Sequence, residues 1–170
     1  VFGQTAEINI IPKPQSVELG KGAFTFSSKT KIGAAEGNGR LMAAAFNEEV
    51  FRKYGFRLSV AKNAKQSAIY FIEAPRRRGF PAGEWYTIDI EQNVIQVTGE
   101  ENGMFYGMQT LLQLLPADLK KKDRLPSVKI RDEPRFKYRG MHLDVARHFM
   151  PVEFVKKYID LMAHYKFNYF

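Results

Sequence analysis

The sequence predicts an α+β fold: a mostly antiparallel sheet with about two helices on one face, followed by an incomplete first β/α unit of a barrel. Three observations predict it. Short runs of alternating apolar residues cluster over residues 1–131, two amphipathic helical stripes interrupt them, and from residue 138 the pattern changes to strand, loop, helix and strand. We therefore expect an accessory domain over 1–131, a linker over 132–137 and an incomplete second domain over 138–170.

The first half of the chain contains short apolar runs of strand character and one amphipathic helix. Met42, Phe46 and Val50 recur at four-residue spacing and predict a helix over 40–54, which the Gly-rich stretch 33–39 precedes and Gly55 ends. The apolar runs around this helix predict strands at 8–12, 24–26, 31–32, 56–60 and 68–72.

Residues 86–115 predict a hairpin followed by a helix. Alternating apolar residues over 86–90, the turn-forming residues 91–93 and a second strand-like run over 94–98 are typical of two antiparallel strands. A stripe of Met and Leu over 104–115 then predicts a core-facing helix that stops at Pro116, and a last strand is expected at 128–130. Pro134 favours an extended conformation for Glu133 and so marks the linker.

The last thirty-odd residues predict a different kind of unit. Residues 138–145 alternate as a strand does, 146–149 turn the chain, and Pro151 stands at the first position of a helix with apolar residues at 155, 158, 159 and 162. A second β-rich run begins at 167. Strand, loop, helix and strand form the repeat of a (β/α)8 or TIM barrel, which needs about 250 residues, so only about one-eighth of a barrel is expected here.

Composition excludes several classes of function. The net charge of +8 would attract polyanions, but its dense runs, Arg76–Arg78 and Lys120–Lys122, lie beside Gly or Pro as solvated loops do, and no element that reads bases accompanies them. We therefore expect no nucleic-acid partner. The absence of cysteine excludes disulfides and thiolate catalysis, and no apolar run approaches the roughly 18 residues of a membrane span.

Arg147 and Asp144 are the candidate site residues. Barrel active sites form at the C-terminal ends of the strands and in the loops that follow, and Arg147 follows a predicted barrel strand. Its guanidinium can donate paired hydrogen bonds to vicinal hydroxyls or to an anion. The alternative is an arginine that only pairs with Asp144 or solvates a loop. Asp144 at the strand end is expected to support Arg147 by a charge-assisted bond rather than to act as acid or base.

Other reactive side chains give no site. His148 has no second ligand at metal spacing, and His142 and His164 are interpreted as structural, so we expect no metal and no cofactor. The glycines at 33, 37 and 39 lack the spacing of a phosphate-binding loop. Glycoside hydrolysis needs two groups that flank the scissile bond, and the sequence contains no such pair of catalytic residues.

Three segments together resemble the family 20 glycoside hydrolases, the β-N-acetylhexosaminidases. The opening Ile10–Gln15 and the hairpin and helix over 86–115, which include FYGMQTLLQLL, resemble the family's non-catalytic N-terminal domain. RGMHLDVARHF, the helix after it and YKFN, within 138–168, resemble the first strand, loop and helix of its catalytic barrel. The resemblance spans nearly the whole chain.

The resemblance implies an exo-acting enzyme that removes terminal β-linked GlcNAc or GalNAc with retention of configuration. The arginine of the family's LDxxRHF motif, which binds hydroxyls of the terminal sugar, matches Arg147, and the motif's acidic residue matches Asp144. The family's mechanism is substrate-assisted: the 2-acetamido carbonyl attacks the anomeric carbon while an Asp orients it and a neighbouring Glu acts as acid and base. That pair is expected beyond Phe170, so the 170-residue chain alone is expected to be inactive.

Further alternatives and expectations stay open at this point. A free-standing module that binds glycans or acts as a scaffold is the alternative to a hydrolase fragment. The apolar helix face of 138–170 is expected to dock on the accessory domain, to pair with another copy of the chain or to be partly disordered. The N-terminus lacks the features of a signal peptide, whereas the family resemblance favours a periplasmic or secreted protein.

Overall fold

The structure is a computed structural model that describes residues 8–33, 36–61, 68–75, 83–119 and 123–170. Within these ranges it contains one seven-stranded sheet and three helices. In chain order the elements are β1 (Ser16–Phe26), β2 (Lys31–Ile32), α1 (Gly37–Tyr54), β3 (Ser59–Val60), β4 (Ala68–Glu73), β5 (Tyr86–Ile90), β6 (Val94–Gly99), α2 (Glu101–Leu114), β7 (Asp123–Asp132) and α3 (Val152–His164).

The sheet is mixed, with the strand order β1-β7-β5-β6-β4-β2-β3. The pairings β1–β7, β7–β5 and β5–β6 are antiparallel and involve the longer strands, whereas β6–β4, β4–β2 and β2–β3 are parallel. Strands cluster in one sheet, and α1 and α2 pack against it. The predicted α+β class, with an antiparallel sheet as its larger part, is confirmed.

One face of the sheet forms the core because alternate residues of neighbouring strands are aligned on it. Ile88 on β5 is paired with Ile130 on β7 and with Val97 on β6, and all three are buried. Helix α1 contacts this face where the ring of Phe46 lies 5.5 Å from that of Phe71. Helix α2 contacts it through Met104, Met108 and Leu111, which are fully buried. Both predicted helices therefore lie on the same side of the sheet.

The locally encoded elements agree with the sequence to within a few residues. Helix α1 ends at the predicted Gly55, whose φ of 77° is left-handed and whose N–H donates to the Phe51 carbonyl at 2.8 Å. The predicted hairpin is present as β5 and β6, and the Glu91 N–H donates to the Val94 carbonyl at 2.9 Å across the turn. Helix α2 begins three residues before the predicted stripe, and α1 also begins three residues early.

Several strand predictions for the accessory segment are wrong. Residues 8–12 form no strand: Ile11 instead exchanges two hydrogen bonds with the Gln113 side chain of α2, at 2.9 and 2.8 Å. Strands β1 and β7 are much longer than the predicted 24–26 and 128–130, because pairing with a neighbouring strand extends both beyond their apolar residues. Strand β7 thus reaches Asp132, the first residue of the predicted linker, and of 56–60 only Ser59–Val60 is strand.

The two barrel strands predicted at 138–145 and from 167 are also not formed as strands. Only one parallel bridge joins the two segments, between Gly140 and Tyr169. A parallel strand is normally stable with a neighbour on each side, and here each segment has only the other beside it. Helix α3 is present at the predicted place, but the prediction of Pro151 as its first residue is wrong: Pro151 is the N-cap and the helix begins at Val152.

Candidate functional site

Asp144, at the end of residues 138–145, and Arg147, in the loop that follows, are held together by hydrogen bonds. The Asp144 carboxylate accepts hydrogen bonds from the backbone N–H groups of Ala146 and Arg147, at 2.9 and 3.2 Å, and from Nε of the Arg147 guanidinium. These bonds, that from the Arg147 side chain above all, hold the pKa of Asp144 below its ordinary value. Asp144 is therefore an ionised residue that orients the guanidinium.

The guanidinium of Arg147 is directed away from the protein. The side chain of Arg147 is 84% exposed. Among the described residues, its two terminal nitrogens have no hydrogen-bond partner, because Asp144 binds only Nε. The outer edge can therefore donate two parallel hydrogen bonds to neighbouring hydroxyls, which is the geometry that a planar guanidinium supplies and an ammonium does not.

The three histidines are not brought together. His142 and His148 are exposed, and His164 is half-buried at the end of α3, with its ring 4.9 Å from that of Tyr165. Burial lowers the pKa of His164, and the charges of Lys53 and Lys166 lower it further. Within the described ranges, no three His, Asp or Glu side chains converge as metal ligands would.

A partly buried ion pair that the sequence did not predict joins residues 138–170 to the accessory segment. Arg139 donates to both carboxylate oxygens of Glu84, at 2.7 and 3.2 Å, and to the hydroxyl of Tyr106 at 3.0 Å. Tyr106 and Asn168 also donate to Glu84, at 2.9 and 3.3 Å. Each of these residues is ordinary in its local sequence, so no pattern in the chain could have pointed to the group.

A second buried group surrounds Lys166, just after α3. Its ammonium donates to the Tyr86 hydroxyl at 2.7 Å and to Asp132 at 3.3 Å, and Tyr86 also donates to Asp132 at 2.7 Å. Burial lowers the pKa of Lys166, although Asp132 opposes the effect, and burial followed by the charge of Asp132 raises the pKa of Tyr86. A left-handed residue after a helix is usually glycine, yet Lys166 has a φ of 62° there.

Two sequence-based expectations concern membranes and nucleic acid. Among the described helices, none combines the length and the apolar composition that a membrane span requires. The basic runs Arg76–Arg78 and Lys120–Lys122 lie outside the described residues, so the structure gives no geometry for them.

Comparisons with known proteins agree with the resemblance found in the sequence. The family model described as "Glycosyl hydrolase family 20, domain 2" matches residues 7–133, and the one described as "Glycosyl hydrolase family 20, catalytic domain" matches residues 136–170. A β-hexosaminidase of Porphyromonas gingivalis is 34% identical over 96% of this chain, but the match covers only 22% of that protein.

Solved structures give the same result. A family 20 exo-β-N-acetylglucosaminidase from Vibrio harveyi, in complex with N-acetylglucosamine, matches with a TM-score of 0.81 and 34% identity over 94% of this chain and 24% of its own. The family 20 β-N-acetylhexosaminidase from Streptomyces coelicolor matches with a TM-score of 0.81 and 32% identity over 94% of this chain and 33% of its own. The chain thus spans a third or less of these relatives, and it belongs to glycosyl hydrolase family 20.

Proposed function

We propose that this chain is the N-terminal part of an exo-acting β-N-acetylhexosaminidase that removes terminal β-linked GlcNAc or GalNAc residues. Membership of family 20 supports the reaction class, and the relatives reported above carry the names β-hexosaminidase and exo-β-N-acetylglucosaminidase. The observation that carries the proposal is the Arg147 guanidinium, held by Asp144 with its outer edge free.

In this proposal, residues 1–131 are the accessory domain, 132–137 the linker and 138–170 the start of the catalytic barrel. Helix α3 and the loop before it support this assignment, since the loop lies where a barrel enzyme builds its active site. Glu84 and Tyr86 of the accessory domain and Asp132, the first linker residue, contact Arg139 and Lys166 of the barrel segment.

Arg147 binds substrate in the proposed enzyme, and Asp144 positions it. Asp144 fixes the plane of the guanidinium by accepting from Nε and from two backbone N–H groups of the same loop. The two terminal nitrogens then donate to vicinal hydroxyls of the terminal N-acetylhexosamine. Because the pKa of Asp144 is lowered, its carboxylate stays ionised at neutral pH and supplies no proton to the reaction.

The bond-breaking groups of the proposed mechanism come from elsewhere. The acetamido oxygen of the substrate attacks the anomeric carbon, the leaving-group oxygen takes a proton from a Glu, and water later opens the cyclic intermediate with retention of configuration. Asp132 and Glu133 are adjacent in this chain, but Asp132 is bound to Lys166 and Tyr86 and lies at the end of β7. We therefore propose that the 170-residue chain alone is inactive.

The test is steady-state kinetics of the complete protein with the p-nitrophenyl glycosides of N-acetyl-β-glucosamine and of β-glucose, which lacks the acetamido group. The proposed mechanism requires turnover of the first substrate alone. Arg147→Ala should lower kcat/KM about 10- to 100-fold, the factor for losing charge-assisted hydrogen bonds. Asp144→Asn should lower kcat/KM by a smaller factor, because it keeps the shape of the loop.

Arg52→Ala is the matched control, since Arg52 forms an equally local, exposed pair with Glu49 on α1. It should leave the kinetics unchanged. Near-normal kcat/KM for Arg147→Ala would refute the assigned role, and equal turnover of both glycosides would refute the acetamido mechanism. Calorimetric titration of the 170-residue chain with chitooligosaccharides tests the alternative of a glycan-binding module, which requires saturable binding that survives Arg147→Ala.

A further inference from the structure

Residues 136–170 bury too little surface to be ordered by packing alone. Of these residues only Met162 and Lys166 are buried, and α3 contributes Met162 alone. Burying one methionine stabilises by about 1.5–3 kcal/mol, whereas fixing each residue of a chain costs about 1–2 kcal/mol. Contacts other than apolar packing must therefore contribute to holding this unit on the accessory segment.

The first such contact is the Glu84 carboxylate, which binds the two ends of the unit at once. It pairs with Arg139, next to Gly140 of the single bridge, and accepts from Asn168, next to Tyr169 of the same bridge. Arg139 and Asn168 also bind each other: the Arg139 N–H donates to the Asn168 side chain and the Asn168 N–H to the Arg139 carbonyl, both at 2.9 Å. One accessory side chain thus fixes the pairing of both segments.

The second contact is Lys166, which is only 4% exposed and adopts a left-handed backbone conformation. That conformation costs roughly 1–2 kcal/mol for a residue with a Cβ. Its side chain explains why a lysine is kept there: the ammonium reaches Tyr86 and Asp132 on neighbouring strands of the accessory sheet. The Lys166 carbonyl also accepts from Nε of Arg139 at 2.8 Å, so the two contacts support each other.

We propose that the accessory domain is a docking template that orders the first β/α unit before the remainder of a barrel packs on it. The template recognises the unit by two charged groups, Arg139 at Glu84 and Lys166 at Asp132 and Tyr86. A polar template suits this task because carboxylates and hydroxyls are solvated until the unit arrives, whereas an apolar one would be exposed and prone to aggregation. The inference does not depend on the proposed hydrolase activity.

Amide hydrogen exchange of the intact 170-residue chain tests the template. The reporters are the Met141 and Asn168 amides, which donate to the Tyr169 and Arg139 carbonyls at 2.9 Å; the sheet amides of Ile88 and Val97 are the internal reference. Glu84→Gln and Lys166→Met should each reduce protection of the reporters about 10- to 100-fold, as expected for one lost charge-assisted bond, and leave the sheet amides within about 3-fold.

Glu153→Gln is the matched control, because it breaks an exposed pair with Lys156 on the unit itself and should change no amide. Three results would overturn the proposal: unprotected reporters in the unaltered chain, unchanged reporters in either variant whose sheet remains protected, or loss of sheet and reporter protection together in both variants. If one of the two variants unfolds the sheet, the protection of the reporters in the other variant tests the proposal.

Discussion

Glu84 binds Arg139 through both carboxylate oxygens, with 2.7 Å between Nη2 and Oε1 and 3.2 Å between Nη1 and Oε2. The side chains are only 14% and 16% exposed, and 55 positions of sequence separate them. Because Nη1 of the same guanidinium also donates to the Phe136 carbonyl and Nε to that of Lys166, one arginine connects the accessory sheet to the segment before it and to the turn after α3.

The first prediction concerns the stability of the Glu84–Arg139 pair at acidic pH. Burial would raise the pKa of Glu84, but the hydrogen bonds from Arg139 and Tyr106 and the charge of Arg139 outweigh it, so the pKa is lowered. The folded state thus keeps the carboxylate ionised to lower pH than the unfolded chain, in which it titrates at about 4.3. The pair's stabilisation is fully present above that pH and is lost as pH falls through the lowered pKa.

We therefore expect residues 138–170 to detach in acid before the sheet unfolds. Fluorescence of Trp85, the chain's single tryptophan and the neighbour of Glu84, should change below about pH 4 while the circular dichroism of the sheet persists. Glu84→Gln should remove this step. Trp85 also donates to Glu100 at 3.0 Å, so its fluorescence reports on more than one carboxylate, and a step that persists in Glu84→Gln would contradict the prediction.

The fold was predictable where short-range patterns decide it. The hairpin over 86–98 follows from alternation around a turn of polar residues, and α1 and α2 follow from apolar spacing with Gly55 and Pro116 as stops. Asp144 and Arg147 lie three positions apart, so their pairing could also be predicted from the sequence. The interpretation of Arg147 as a substrate-binding residue stays a prediction.

The remainder depends on partners that are distant in sequence. The N-terminal part of β1 is strand because Ser16–Leu19 pairs with β7, more than a hundred positions away, and not because of its own composition. Lys166 looks like a solvated lysine in the sequence, but it is buried against Tyr86, 80 positions away. The barrel strands fail for the opposite reason, since their patterns are strand-like but each has a single neighbour.

The second prediction distinguishes the effect of the Lys166 backbone conformation on stability from the effect of its charge. Glycine adopts the left-handed conformation freely, so Lys166→Gly should be stabilising by about 1 kcal/mol if only the backbone mattered. Loss of the ammonium leaves the Asp132 carboxylate without its cation, and a partly buried carboxylate that loses its charged partner costs more, about 1–3 kcal/mol. We expect a net loss of about 1 kcal/mol, measured as the free energy of unfolding in urea.

Lys166→Met is the comparison for this experiment, because it removes the charge but keeps the strained backbone. It should be less stable than Lys166→Gly by about 1 kcal/mol. A Lys166→Gly chain that is more stable than the unaltered one by the full amount of about 1 kcal/mol expected from the backbone alone would show that the ammonium contributes nothing to stability.

The third prediction concerns the contact between α2 and the start of β5. A Cβ at Gly103 would lie 1.9 Å from the Trp85 carbonyl oxygen, so the added methyl group would collide with the backbone before β5. Although alanine favours a helix over glycine by about 1 kcal/mol, we expect Gly103→Ala to destabilise the protein by about 2 kcal/mol or more in thermal unfolding. Asn102→Ala, exposed on the same turn, should be neutral or slightly stabilising.

The last prediction concerns association of the 170-residue chain with itself. Docking leaves an apolar surface exposed on residues 138–170, of which Phe149 is 87% exposed and Val145, Val152 and Ile159 are also exposed. Exposed apolar side chains of this size favour association, so sedimentation velocity should show oligomers that increase with protein concentration. Because the contact is apolar, added salt should not weaken it, whereas the net charge of +8 opposes association at low salt.

The double variant Phe149→Ser and Ile159→Gln should require about 10-fold more protein to reach the same degree of association. It removes two apolar side chains that association would bury, and their loss costs more than about 1.4 kcal/mol of association free energy. Leu41→Gln, which alters an exposed leucine on α1, is the matched control and should behave as the unaltered chain does. Monomers throughout, or equal association of all three proteins, would contradict the prediction. In that case the apolar surface of residues 138–170 stays uncovered in this chain, and the docking contacts alone keep the unit in place.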